Sequence, residues 1–276
     1  MRISLAQICS VPDVSRNTDA VCELIMRASS ENSDLIVFPE ASMYPFGQGR
    51  LDTIAEPLDG RFATTVRETA EAAGIVAVVG MFAPADSVET EKGTRHRVDN
   101  VALAVGRDGA DGDRVNAAYR KIHCYDAFGY RESETVRPGN ELEYFQCAGM
   151  TVGLSTCYDI RFPQQFKNLA RGGAHVIVVP TSWSDGPGKR DQWRTLTAAR
   201  ALDSTTWIAA AGQARPGGYD KVGQSDGPTG IGHSVVVGPD GTRVAELGYT
   251  CGYVTATIDT DRVDSVRQSI PVLGDD

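Results

Sequence analysis

The chain is punctuated by short, nearly continuous apolar runs, and helical spacing fills most of the intervals between them. DLIVFPE (34–40) and MTVGLSTC (150–157) lack the polar alternation of a half-exposed strand, and IVAVVGMF (75–82), AHVIVVP (174–180) and WIAAAG (207–212) have the same character. Strands of this kind are buried on both faces, which calls for helices packed over sheets with parallel strands. Between the runs, Val21, Leu24, Ile25 and Ala28 follow the i, i+3, i+4, i+7 spacing of a core-facing helix. Ala63, Val66, Ala70 and Ala73 mark a second helix, closed by Gly74. A third starts at Pro163, a residue suited to the first helical position, and stops at Gly172–Gly173. A fourth lies near 190–203. MRISLAQICSV opens as a strand and not as a signal peptide.

Strands near 98–106 and 114–120 flank DGADGD, a hairpin turn, and two or three more strands fall near 233–258. The polar segment ADSVETEKGTRHR (85–97) reads as a solvent-exposed connection. This regular mixing of strands and helices defines an α/β fold, and without a Pro-, Gly- or Ser-rich linker it is expected to form one domain over 1–276. IVFPE (36–40) and IVVPT (177–181) are both helix-preceded apolar strands ending in or beside Pro, a hint of two similar β–α–β halves.

Composition removes several function classes. With 27 Lys+Arg against 36 Asp+Glu, the net charge of −9 makes the chain a poor partner for nucleic acid or an anionic membrane. No stretch approaches the roughly 18 apolar residues of a membrane span. Six cysteines are scattered without a CxxC pair, and the four His residues do not cluster with them, so no metal site is expected. Together with the strand-like N-terminus, this points to a cytoplasmic protein with reduced thiols.

In open α/β sheets, ligands gather at the C-terminal ends of strands. That rule selects Glu40 after IVF-Pro39, Lys121 at the end of RVNAAYRK, and Cys157 after VGLST. Cys157 precedes a helix and is flanked by Thr156 and Tyr158-Asp159. A helix N-terminus and a nearby cation are expected to lower its pKa and favour the thiolate, the nucleophile of acyl transfer. Glu40, straight after buried apolar residues, is placed to take and return a proton. Lys121 would set a positive charge beside a developing oxyanion. Cys9, Cys22, Cys147 and Cys251 read as packing residues, and His175 as a satisfied core histidine. A papain-like Cys–His pair with His123 or His233 fits neither the local signature nor the α/β pattern.

At these residues the sequence resembles the nitrilase, or carbon–nitrogen hydrolase, superfamily over residues 2 to about 272. LIVFPE carries Glu40, YRKIHCYDAFGYRESETVRPG carries Lys121, and VGLSTCYDIRFP carries Cys157. Lesser matches are DNVALAVGRDG (99–109), RALDSTTWIAAAGQ (200–213) and GHSVVVGPDG (232–241). The resemblance implies a four-layer α-β-β-α sandwich and a Glu–Lys–Cys triad without metal or organic cofactor. It implies that Cys157 attacks an amide carbonyl, Glu40 acts as base, and Lys121 with the Tyr158 backbone N–H stabilises the oxyanion. A second family Glu matches Glu132, with Glu134 the competitor. The closest motifs are those of small-acid amidases such as omega-amidase and deaminated-glutathione amidase, although Trp183 and Cys124 depart from many relatives. N-carbamoyl amino-acid hydrolysis, aliphatic amide hydrolysis, acyl transfer to an amine and a non-catalytic scaffold are the alternatives. Relatives commonly dimerise, so a homodimer is expected.

A small carboxylate-bearing amide needs a cationic reader. Arg131 and Arg161 are nearest in sequence, although Arg161 has a competing role in bracing Asp159. Tyr44, Phe46, Tyr125, Phe128, Tyr130, Tyr158 and Trp183 are candidates for the pocket wall.

Overall fold

A computed structural model describes residues 1–90, 93–109, 111–127 and 130–274. Each apolar run becomes a strand whose two faces meet different partners. In β1 (Arg2–Gln7), Ile3 and Leu5 point to one core while Ala6 points to another. The helix α1 (Val14–Ser30) is capped by Asp13, whose side chain accepts the Arg16 N–H, and it lays Val21, Ile25 and Ala28 on the sheet. β2 (Leu35–Val37) follows, then α2 (Arg61–Ala73), which stops at Gly74 in the left-handed conformation (φ 63°). β3 (Val76–Thr90) and β4 (Gly93–Arg107) form a long antiparallel hairpin, and β5 (Arg114–Arg120) pairs with β4.

A two-residue pair, β6 (Asp126–Ala127) and β7 (Tyr130–Arg131), lies in the loop beyond β5. The second half then runs β8 (Tyr144–Cys147), β9 (Met150–Leu154), α3 (Pro163–Arg171), β10 (Val176–Thr181), α4 (Lys189–Ser204) and β11 (Trp207–Gly212). It closes with β12 (Val235–Val237), β13 (Arg243–Glu246), β14 (Gly252–Thr257) and α5 (Thr260–Ser269).

Two six-stranded sheets result, in the orders β14-β1-β2-β3-β4-β5 and β13-β12-β11-β10-β9-β8. β1, β2 and β3 are mutually parallel, as are β9, β10 and β11, and antiparallel strands flank each trio. The two halves therefore repeat one plan, and the IVFPE/IVVPT likeness marks equivalent central strands, β2 and β10. Val37, Val78, Val152, Val178 and Ala209 belong to a core shared by both sheets. Ile36, Val79, Val21 and Phe62 form a second core under α1 and α2, and Ile177, Ile208, Phe166 and Trp193 a third under α3 and α4. Helix, sheet, sheet, helix is the four-layer sandwich that the motifs imply. Continuous apolar runs arise because both strand faces are buried, each Val, Leu or Ile contributing about 1.5–3 kcal/mol.

Three expectations need correction. Most of 85–97 is strand, because β3 and β4 extend outward as a paired hairpin through a register shift between Pro84 and Ser87. The run 150–157 ends as a strand at Leu154 and is preceded by β8, joined through Ala148 and Gly149, both with positive φ. α5 follows the C-terminal strands, capped by Asp259 on the Arg262 N–H. No helix among the described residues is long and apolar enough to cross a membrane.

Candidate active site

β2, β5 and β9 deliver Glu40, Lys121 and Cys157 to one buried place. β5 is an antiparallel edge strand, yet two reversals from β3 make it run in the direction of β2, so their C-terminal ends fall on the same side. Glu40 and its neighbours cross close over β3. A Cβ on Gly80 would lie 2.6 Å from the Pro39 carbonyl oxygen and 2.7 Å from the Glu40 Cα, so only glycine fits there. The Gly80 carbonyl accepts the Met43 N–H at 3.0 Å and ties down the far side of the loop.

Lys121 is 3% exposed, and its Nζ donates to Glu132 Oε1 at 2.8 Å, Glu132 Oε2 at 3.0 Å and Glu40 Oε1 at 3.1 Å. Burial opposes its charge, but the Glu132 and Glu40 carboxylates outweigh that and raise the ammonium well above its ordinary value. Lys121 is therefore a fixed cation at neutral pH. Asn100 donates to Glu40 Oε1 at 2.7 Å and the Ser182 N–H to Oε2 at 2.9 Å. Gln213 Nε2 donates to the Glu40 backbone carbonyl at 3.0 Å. Glu132 also accepts the Tyr125 N–H at 2.7 Å. Glu132 is buried where the sequence left Glu134 as competitor; Glu134 points outward and pairs with Arg95.

Cys157 begins a short 3-10 turn, Cys157–Arg161, with φ 47°, a strained value for a residue with a side chain. Asp159, fully buried, braces the turn: Oδ2 accepts the Thr156 N–H at 2.9 Å and the Tyr119 hydroxyl at 2.6 Å. Its Oδ1 accepts the His123 backbone N–H at 2.9 Å and lies 2.9 Å from the ring Nδ1, which favours a proton there. Tyr119 in turn accepts from Gln165 Nε2 at 2.8 Å and the Ile122 N–H at 3.1 Å. His123 thus serves Asp159, and His233 pairs with Glu246 at 2.7 Å. Each of the two His candidates for a papain-like pair is committed to a carboxylate other than a catalytic partner.

Two expectations reverse here. The Cys157 thiol is raised well above its ordinary value, because burial and the adjacent Glu40 charge outweigh Lys121. Cys157 is thus held as a thiol beside the Glu40 carboxylate, not as a preformed thiolate. Nor does Arg161 brace Asp159. It lies over the Trp183 ring at 4.9 Å and the Tyr158 ring at 5.8 Å, and donates to Gln192 Oε1 at 2.9 Å.

Trp183 is buried against Trp193, and Tyr125 meets Tyr158 edge-on at 5.1 Å. Tyr44 donates to the Gln48 carbonyl and Phe46 packs on Phe82, which occupies both in the loop after Glu40. Arg131 is exposed, and Phe128 lies outside the described residues. Asn100, Tyr119, Ser182 and Gln213 were not singled out in the sequence, although Asn100 and Gln213 sit within two of the three lesser family blocks. No group of three or more His, Cys, Asp or Glu among the described residues could hold a metal ion.

The family model for carbon–nitrogen hydrolase matches residues 2–268. A hydrolase of Mycobacterium tuberculosis strain H37Rv is 45% identical over 275 residues, covering 99% of this chain and 94% of its own. The deaminated glutathione amidase of Escherichia coli O157:H7 is 30% identical, covering 99% and 96%. Among solved structures, Saccharomyces cerevisiae Nit3, of the nitrilase superfamily, superimposes with a TM-score of 0.78 at 24% identity, covering 99% and 94%. The chain belongs to the carbon–nitrogen hydrolase family and is a hydrolase of C–N bonds.

Proposed function

We propose that this hydrolase is an amidase for small, linear, carboxylate-bearing amides, working through a thioester on Cys157. The observation that carries the reading is Lys121 locked between Glu40 and Glu132 in a buried site beside the thiol. Glu40 takes the Cys157 proton as sulfur attacks the amide carbonyl carbon. Lys121 and the Tyr158 N–H stabilise the tetrahedral oxyanion, and being fixed beforehand they need no reorganisation as charge develops. Collapse breaks the C–N bond, Glu40 returns the proton to nitrogen, and ammonia leaves. Glu40 then deprotonates water, which attacks the thioester and releases the acid and the thiol. Glu132 orients Lys121 and the substrate amide throughout.

The carboxylate preference rests on Arg161 and Lys189. Burial and the neighbouring Arg161 charge lower the Lys189 ammonium, and neither cation has a carboxylate partner among the described residues. Trp183 Nε1 donates to the Lys189 carbonyl at 3.3 Å, which ties this cationic pair to the wall that follows Ser182. The 30% identity to a deaminated glutathione amidase over nearly the whole chain supports the same class.

Ammonia release from a panel of 2-oxo acid omega-amides, deaminated glutathione, an N-carbamoyl amino acid and a neutral aliphatic amide tests both parts. Carboxylate-bearing amides should turn over, and Cys157→Ala should abolish release. Arg161→Met should raise KM for those amides by about 10- to 100-fold while sparing the neutral amide. Absence of ammonia from every member would overturn the amidase reading. Equal loss on charged and neutral amides would overturn the role of Arg161.

A further inference from the structure

The loop after β11 is held from beneath by a single cation. Residues 216–230, PGGYDKVGQSDGPTG, offer little to bury, and Tyr219 and Val222 are 65% and 41% exposed. Under them lies Arg215, whose side chain is fully buried. The loop closes around its guanidinium. Nε donates to the Lys221 carbonyl at 3.1 Å, and Nη1 to Asp226 Oδ1 at 2.8 Å and Thr229 Oγ1 at 2.9 Å. Nη2 donates to the carbonyls of Lys221 and Gln224 at 2.9 and 3.1 Å. A buried charge is stable only when paired and hydrogen-bonded, so this fully engaged guanidinium fixes a loop shape that apolar burial does not.

The same cation ties the loop to the segment after β10. Asp185, 3% exposed, brings Oδ2 to 3.2 Å from Arg215 Nε, and that oxygen accepts the Gly223 N–H at 2.8 Å. Ser182 Oγ donates to the Pro228 carbonyl at 2.7 Å. Gly186 packs so closely that a Cβ there would lie 2.6 Å from Ser225 Oγ. These contacts flank Trp183, which shares an apolar cluster with Cys157 and with Ile231, the residue that follows the loop. At the same segment the Ser182 N–H holds Glu40 Oε2 at 2.9 Å. We infer that Arg215 is a specificity-determining positioning residue. Acting through loop 216–230 and Asp185, it sets where the Ser182–Gly186 wall stands, and so which acyl chains fit beside Cys157. This deepens the amidase reading and rests on it. Arg215 acts through the wall and needs no contact with substrate.

The test uses the full chain and two variants. Arg215→Met removes every donor and keeps much of the side-chain length. Asp185→Asn keeps an acceptor for the Gly223 N–H and weakens only the tie to Arg215, so it stands in if Arg215→Met fails to fold. Ammonia release is measured from succinamate and from its gem-dimethyl derivative. Both variants should lower the ratio of kcat/KM for the unbranched over the branched amide by about 10-fold, because a loosened wall discriminates less. Loss of folded protein alone would scale both rates equally and leave that ratio at its wild-type value. The second readout needs no turnover: Cys157 is labelled by iodoacetamide or by N-phenylmaleimide and mapped by mass spectrometry. The ratio of bulky to small labelling should rise several-fold in the variants. A wild-type labelling ratio in a folded variant would overturn the inference, and so would a raised labelling ratio with unchanged amide selectivity. If wild type releases no ammonia from any amide, the amidase reading falls, and the labelling ratio still decides whether Arg215 sets the wall.

Discussion

Cys157 is a neutral thiol in a site that already holds two carboxylates and one ammonium. Adding a thiolate would bring a third negative charge into a buried volume, so the proposed mechanism requires proton transfer to Glu40 to accompany attack. Glu40→Gln should then lower kcat by about 10²–10⁴-fold with the fold intact, and steady-state ammonia release checks it. Asp159 acts one step back, as a positioning residue for the strained Cys157 turn. Tyr119→Phe removes the hydroxyl that bridges Asp159 to Gln165 and Ile122 and leaves part of that network unsatisfied, at a cost of about 1–3 kcal/mol in stability. If the turn positions the thiol, kcat falls while KM holds, and Asp159→Asn shows the same split; a change in Tm alone would assign both residues a purely structural role. Glu40, Lys121, Glu132 and Cys157 were legible in the sequence as candidates because each ends a strand or sits in a distinctive block, and the fold brings them together. The direction of the Cys157 shift was not, because it depends on which charges burial brings beside the sulfur. Asn100 and Ser182 were hidden for a related reason: one sits mid-strand, and the other acts through its backbone.

At the scale of elements, the site depends on how closely the loop after β2 crosses β3. Gly80→Ala would place a methyl group 2.6 Å from the Pro39 carbonyl, and the loop carrying Glu40 would have to move. A displacement of this kind should cost about 10²-fold in kcat, measured beside a Tm that falls only modestly. Wild-type turnover in Gly80→Ala would show that the close approach is dispensable. Elements buried on both faces were readable as apolar runs, and WIAAAG became β11 over the same residues. β8 was missed because YFQC is short and half-polar, and α5 because only Val263 and Val266 of its ten residues are buried. The β3–β4 extension reads as a loop because its outer residues face solvent, and pairing alone makes it strand.

The whole molecule is two copies of one plan, and the site lies where strand ends from both copies converge. That placement couples the site's charge balance to stability at high pH. Cys157 is raised above 9.0 and Lys121 above 10.5, so both groups favour their protonated forms in the fold more than in the unfolded chain. Their contribution is complete below pH 9 and is lost as pH rises through the elevated folded values. Tm should fall as pH rises above about 9, with a shallower slope in Cys157→Ala; equal slopes in the two proteins would exclude Cys157 from that loss. The duplicated plan was foreshadowed by five residues of likeness, too few to reveal that antiparallel strands flank both parallel trios in the same way. The charge of −9 carries no information about the site, whose own charges are buried and locally matched. The most direct test of the account is rapid acid quench during turnover of a carboxylate-bearing amide, followed by peptide mass spectrometry. An acyl group, the substrate less ammonia, is expected on the Cys157 peptide and absent in Cys157→Ala. Steady ammonia release with no acylation of Cys157, or with the acyl group on another residue, would contradict it.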